Sequence, residues 1–561
     1  MQLVRSVHVP LWLSLAGLSL SSDTDRNSLP IPSYQRNHLQ HQQDPMDSKF
    51  DVFVGSIGLS GPDAQALKSS YGNKPADKLS AACLATQFVL GKDAVDTAPL
   101  NQTVVEANWS KANVAKPHCI VTPTSAHAVS VTIKALSFFQ VKFAVRSGGH
   151  SPNPGFSSVG DGGVLLDLSK LNQLTLSEDK SVVSVGPGQR WGEVYSFLDT
   201  YGLSVIGGRI PNVGVGGLIL GGGLHHFSAK YGLAADNVHN FEVVLSDGTI
   251  TNANAKENTD LFWALKGGGP NFGVVTRFDL YTVPTRNIWL RLTVHALDQA
   301  NDIFDAFAEW QTRGGATDSR ATVITGIALD SIAIGLVFWR QHVDGLGTTA
   351  PGTFAPLDGL PFLQALADGV PTTLLALMEQ MGAATTNAAT RHDYRAASSR
   401  VDARLYKDVY TFWRARALAA REATGANQTF VLQPVPRSLA RAGAAKGGIL
   451  WVYPMRTINV RWTTLVDWTD AADDGEVRAV SIDTTRQWAK LGQERGLHLP
   501  FLYQDDSSRD QHPLATYGEE NVAKLKQIAL KYDKTQFFQK MQNGGFSCPR
   551  SNQVSSYGQW M

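Results

Sequence analysis

The stretch Arg146-Ser147-Gly148-Gly149-His150-Ser151 decides how this chain is read. It closes a run from Val141 to Arg146 that reads as a short strand. Two glycines after a strand permit a turn whose N–H groups converge on an anion, and an imidazole follows within reach of whatever the turn holds. Taken alone, a histidine after Gly-Gly is a turn residue. A second stretch changes that reading: Gly207-Gly208-Arg209, then Gly214-Val215-Gly216-Gly217-Leu218-Ile219-Leu220-Gly221-Gly222-Gly223. Glycine at six of those last ten positions leaves few side chains. Close approach to a large ligand or a second backbone explains such a run. A third stretch, Lys266-Gly267-Gly268-Gly269-Pro270-Asn271-Phe272-Gly273, leads into the strand-like Val274 to Phe278. No GxxxxGK[ST], strand-to-helix GxGxxG, HExxH or GxSxG is present, so the spacing points away from a P-loop, a Rossmann site, a zinc protease and a serine hydrolase.

Around these stretches the texture is α+β. His118 to Val121, Gly163 to Leu168, Val182 to Val185 and Val243 to Leu245 read as strands. Ser125 to Phe139 reads as a helix with Thr124 or Ser125 at its N-cap. From 287 to about 480, runs such as IWLRLTVHAL, ATVITGIAL, IAIGLVFWR and GGILWVYPM alternate with helical patterns, which predicts a second α/β domain on an antiparallel sheet. Residues 515–533 predict a helix with Val522, Leu525, Ile528 and Leu530 on its apolar face.

The 561 residues are 43% hydrophobic and carry a formal net charge of +1, so a large core is possible and neither nucleic acid nor an anionic membrane is an expected partner. Arg5 and the apolar run LWLSLAGLSL (11–20) predict a signal peptide over residues 1–21, and no later segment has the ~20 apolar residues of a transmembrane helix. Residues 22–61 read as a disordered linker and 62–114 as a helical segment. Asn101-Gln102-Thr103, Asn108-Trp109-Ser110 and Asn427-Gln428-Thr429 are glycosylation sequons, which fit a secreted or secretory-pathway protein. Of the cysteines, Cys83 and Cys119 are the expected pair and Cys548 is left over.

The segments KPHCIVTPTSAHAVS, AVRSGGHS, LLDLSKLN, VGPGQRWGEVY, VGVGGLILGGG, YGLAADNV and DLFWALKGGGPNFGVVTRF resemble, in that order, the FAD-binding domain of the vanillyl-alcohol-oxidase (PCMH-type) superfamily, and specifically the berberine-bridge-enzyme-like oxidoreductases. DQHPLATYGEENVAKLKQIALKYDKTQFF resembles that family's closing segment. The resemblance implies a PCMH-type FAD-binding domain of two α+β subdomains over 115–286, an antiparallel-sheet substrate domain over 287–490, and a segment over 491–547 that returns to the FAD domain. His150 matches the histidine that bonds the flavin. Arg146, Ser147, Gly148, Gly149 and Ser151 are expected around the pyrophosphate, Gly214, Gly216, Gly217 and Gly221 along the flavin, and Asn237 and Val275 near the nucleotide. Ile210 stands where many relatives carry a second, cysteine tether, so FAD is expected to be covalent through His150 only. Leu218 replaces a histidine found in many relatives, and Val213 occupies a position thought to admit dioxygen.

A small-molecule substrate, a hydride acceptor in FAD and dioxygen as final acceptor follow from the resemblance. The family's Tyr-x-Asn stretch is Tyr503-Gln504-Asp505 here, so Tyr503 and Asp505 are candidate catalytic residues, with Tyr453 a further candidate base. His225-His226 reads as structural, because adjacent residues face different directions. Three functions fit: an oxidase, a ring-forming enzyme of specialised metabolism, and a flavin-free binding protein. Peroxide yield separates the first two, and flavin content separates the third. Oligomeric state is not readable from these residues.

Overall fold

The strand-like runs around the glycine stretches pair into sheets in a computed structural model of the chain, which describes residues 45–548 apart from 73, 285–287, 314, 340–348, 384–389 and 449–458. The first sheet is ordered Val95–Asp96, Cys119–Val121, Gly163–Asp167, Lys142–Arg146. Its last three strands are parallel, and Cys119–Val121 and Gly163–Asp167 are buried throughout, as continuous apolar runs require. Helix Ala126–Phe139 makes the crossover. The Ser125 hydroxyl caps it by accepting from the Ala128 N–H at 3.2 Å, and Gln140 ends it in the left-handed region.

The second sheet has six strands: Leu174–Leu176, Val182–Val185, Val274–Val283, Val238–Val244 and Ile250–Asn254 in order, with Ser204–Val205 added against Val274–Val283. All of its pairings are antiparallel. These two sheets are the two α+β halves that the resemblance implies.

The third sheet is an eight-stranded antiparallel layer, ordered Gln364–Thr372, Ile288–His295, Ile332–Trp339, Ala321–Ile327, Asn427–Val435, Asn459–Trp468, Arg391–Arg400, His498–Leu499. It extends past the expected limit of 490 to Leu499. Phe430, Leu432, Val460 and Trp462 bury one face in a core shared with helices Ala300–Thr312, Ala403–Thr424 and Asp474–Glu494. Strand alternation therefore turns Tyr394, Gln433 and Arg461 to the opposite face. Gln433 and Arg461 are direct cross-strand partners.

Several expectations need correction. The linker expected over 22–61 gives way to helix Pro45–Ser56, and Phe50, Phe53, Val54, Ile57 and Leu59 are buried. Phe50, Phe53, Val54 and Ile57 have the i, i+3, i+4, i+7 spacing of an apolar helix face, which the polar residues before them obscured. The expected signal peptide lies outside the described residues, as does Tyr453. The cysteines are as expected: Cys83 and Cys119 are disulfide-bonded, and Cys548 is free and buried. Asn108 is not a surface sequon: its Nδ2 donates to the Asn113 carbonyl at 2.9 Å and its Oδ1 accepts from Ser157 at 2.8 Å in the interior. Asn101 and Asn427 are exposed. The C-terminal helix is Glu519–Tyr532, with Leu525, Ile528 and Ala529 buried, whereas Leu530 faces solvent. Beyond it, Gln542 bridges Phe143, and the Asn543 N–H donates to the Phe143 carbonyl at 2.7 Å.

Phe53 stacks on Phe138 with ring centroids 4.2 Å apart. Phe53→Ala is expected to lower stability by about 3 kcal/mol in chemical denaturation. An unchanged midpoint would show that the N-terminal helix contributes nothing to the body of the protein.

Candidate active site

Two glycine backbones touch where the first two glycine stretches meet. A Cβ on Gly148 would lie 2.6 Å from the Gly214 nitrogen and closer still to its Cα, and a Cβ on Gly214 would lie 2.5 Å from the Gly148 Cα. No side chain fits at either position. Ser147 latches the crossing: its hydroxyl donates to the Pro187 carbonyl at 2.5 Å and accepts from the Gly216 N–H at 3.1 Å. Gly149 then adopts φ 65°, a left-handed conformation that glycine takes without strain, and the chain turns His150 into a cleft.

The cleft has a volume of about 350 Å³. Ser147, Gly148, Gly149, His150 and Ser151 line it from the first stretch, Val213, Gly214, Gly216 and Gly217 from the second, and Val275, Tyr503 and Asp505 from later segments. Ile210 and Leu218 line it too. Three expected residues do not. Arg146 pairs with Asp167, its register partner on the neighbouring strand, through Nε–H at 2.8 Å and through Nη2. Asn237 donates to the Tyr231 and Leu233 carbonyls at 3.0 and 2.7 Å and accepts from Lys446 at 2.6 Å, so it ties a loop together. Gly221 abuts Asp505: a Cβ there would lie 2.7 Å from the Asp505 Cγ.

His150 stacks on Trp109, with centroids 4.3 Å apart and planes 9° apart. Trp109 stacks on its other face against His392, at 3.7 Å and 2°. His392 Nδ1 lies 2.5 Å from Asp467 Oδ1 on the paired strand, so the third sheet braces the stack. Burial lowers the His150 pKa to about 3, helped by Arg190 and His392, so its imidazole is neutral at pH 7.

At the polar end, the Tyr503 hydroxyl donates to Asp505 Oδ2 at 2.7 Å, and the Gly223 N–H donates to the same oxygen at 3.1 Å. Burial pushes Asp505 up to about 7 despite these bonds. Burial also raises the Tyr503 phenol well above 10, while the Arg461 guanidinium, 3.8 Å from the ring centroid, pulls the other way. His225 and His226 are buried and held neutral by burial, and no metal-binding cluster occurs among the described residues.

The cleft fits a flat, mostly apolar group with hydrogen-bonding edges. Val145, Val213, Val275 and Phe278 supply apolar wall. Asn153 Oδ1 and Gln504 Oε1 belong to cleft-lining residues and lack partners among the described residues, which suits a ligand that carries donors. Reading the sequence missed Trp109, His392, Tyr394, Gln433 and Arg461. Trp109 was available in the stretch Asn108-Trp109-Ser110. The others come together only through sheet register.

A family model described as FAD binding domain matches residues 117–254. A FAD-dependent monooxygenase of Arthrobotrys oligospora is 36% identical over 469 residues, covering 83% of this chain and 89% of its own. The bifunctional solanapyrone synthase of Alternaria solani is 32% identical over 434 residues, covering 77% and 81%. Among solved structures, xylooligosaccharide oxidase from Myceliophthora thermophila superposes with a TM-score of 0.70 at 19% identity, covering 83% of this chain and all of that one.

Two glycines separate folding from cofactor binding. Gly148→Ala is expected to lower the melting temperature, because its methyl group meets backbone. Gly217→Ala is expected to leave the melting temperature of the flavin-free protein unchanged and to reduce flavin content, because nothing lies within 4 Å of its Cβ and the position faces the cleft. Equal effects of both on the flavin-free protein would overturn this division. In its sequence relatives and its FAD-binding domain the chain belongs to the family of FAD-dependent oxidoreductases that includes these FAD-dependent monooxygenases, and its fold is that of the berberine-bridge-enzyme-like structures.

Proposed function

We propose that this enzyme is an oxidase that takes a hydride from a small alcohol, sugar or specialised metabolite, holds FAD covalently through His150 alone, and uses dioxygen as final acceptor. The pairing of Tyr503 with Asp505 inside the cleft that His150 lines carries this reading. Bound FAD supplies the two-electron acceptor. The residues supply proton transfer. A substrate hydroxyl placed against Tyr503 Oη gives up its proton as the phenol passes its own to Asp505. Burial keeps the phenol protonated, so a preformed phenolate is not needed; a carboxylate at 2.7 Å is already placed to accept. Arg461 over the ring favours the negative charge that develops on it.

A neutral His150 imidazole is the form that can bond carbon, and the Trp109 stack holds its plane. No cysteine lines the cleft, which supports a single tether. The disulfide, the exposed Asn101 and Asn427 sequons and the apolar leader support a secretory route. A ring-forming reaction is the second reading, favoured in that one relative is named as a bifunctional synthase and not as a monooxygenase. One hydrogen peroxide per product supports the oxidase. Product without peroxide supports ring formation, and oxygen from labelled dioxygen in the product supports a monooxygenase, as other relatives are named.

Asp505 must be ionised to accept a proton, so kcat/KM is expected to rise with pH through about 7. Asp505→Asn is expected to abolish that ionisation and to lower kcat/KM by roughly 10²–10⁴-fold. A folded carboxylate raised above its ordinary range stabilises the protein less as pH rises through its folded value, so the same variant is expected to melt higher than the parent at about pH 8. An unchanged pH profile in Asp505→Asn would remove Asp505 from the mechanism.

A further inference from the structure

Two guanidinium groups from different domains meet at the edge of the cleft. Arg209, which follows Gly207-Gly208 and lines the cleft, donates through Nη2 to Gln433 Oε1 at 2.7 Å. Arg461 donates through Nη2 to the same oxygen at 2.9 Å. Gln433 Nε2 donates to Asp506 Oδ2 at 3.1 Å, and that oxygen lies 3.2 Å from Arg461 Nη2. Arg209 makes no ion pair among the described residues. Two fixed positive charges therefore share one close carboxylate and one neutral amide. The other titratable groups facing them are Tyr394, Tyr503, Asp505 and the neutral His225 and His226. The Arg461 side chain is only 3% exposed, and its Nε has no partner.

Buried guanidinium charge without a full complement of acceptors is costly, and the planar fork of arginine matches a delocalised oxyanion. We propose that Arg209 and Arg461 form a subsite for an acidic group on the substrate, a carboxylate or an ionised enol or phenol. This rests on the flavoenzyme reading and narrows its substrate class. Arg461 stacks on Tyr503, so an anion held by the pair places the rest of the substrate beside the Tyr503–Asp505 relay. The neutral Gln433 keeps both forks in place without cancelling their charge; a carboxylate at that position would close the subsite.

Calorimetric titration of the purified holoenzyme with benzoate and with its neutral isostere benzamide tests this directly. Benzoate is expected to bind at least roughly tenfold more tightly than benzamide. Arg209→Gln and Gln433→Glu are each expected to remove the difference. Gln433→Glu keeps the size of the side chain and guards against misfolding of the arginine variant. Equal affinities for the two probes in the parent protein overturn the proposal. So does a benzoate preference that survives both substitutions while the flavin midpoint potential shifts, because the charge would then serve the flavin ring. Calorimetry does not depend on flavin, so a colourless preparation that still prefers benzoate would fail the oxidase reading and leave the subsite standing.

Discussion

Contact between the Gly148 and Gly214 backbones is the constraint on which the site depends. Each glycine occupies space that any side chain on the other would fill. Their crossing brings the turn after the first sheet against the start of helix Val215–Gly221, and Ser147 fastens it on both sides. His150 enters the cleft because Gly149 can adopt the left-handed turn that follows. Gly217 leaves open space because the helix is held at that distance. Histidine, wall and opening are thus consequences of one close approach.

The third sheet solves a different problem. One face builds a core of Phe430, Trp462 and Trp488, and the other projects polar groups toward the cleft. The result is an electrostatic gradient. Near His150 the lining is glycine and the imidazole is neutral. Near Tyr503, buried carboxylates and guanidiniums lie within hydrogen-bonding distance of one another. Keeping Asp505 out of water weakens the fold at high pH and, in the proposed reaction, supplies a carboxylate whose pKa of about 7 suits a base acting near neutral pH.

The glycine cleft was legible in the sequence because its constraint is local: a backbone that must approach another backbone excludes side chains wherever it does so. Direction was not legible. Arg146 sits in the motif, yet strand register aims it at Asp167. Gly221 belongs to the glycine run, yet the surface it exposes is taken by Asp505 from 284 residues later in the chain. Trp109 was hidden inside a sequon whose asparagine proves to be buried. Gln433 and Arg461 are paired only by the register of strands 28 residues apart, and no short motif encodes that. The N-terminal helix was overlooked because a polar tract precedes its apolar face.

Acid precipitation of the purified protein tests the anchor at the centre of this arrangement. A yellow pellet is expected from the parent protein and a colourless one from His150→Ala. Release of all colour into the supernatant of the parent, or a yellow pellet from the variant, would contradict the assignment of His150 as the single covalent link.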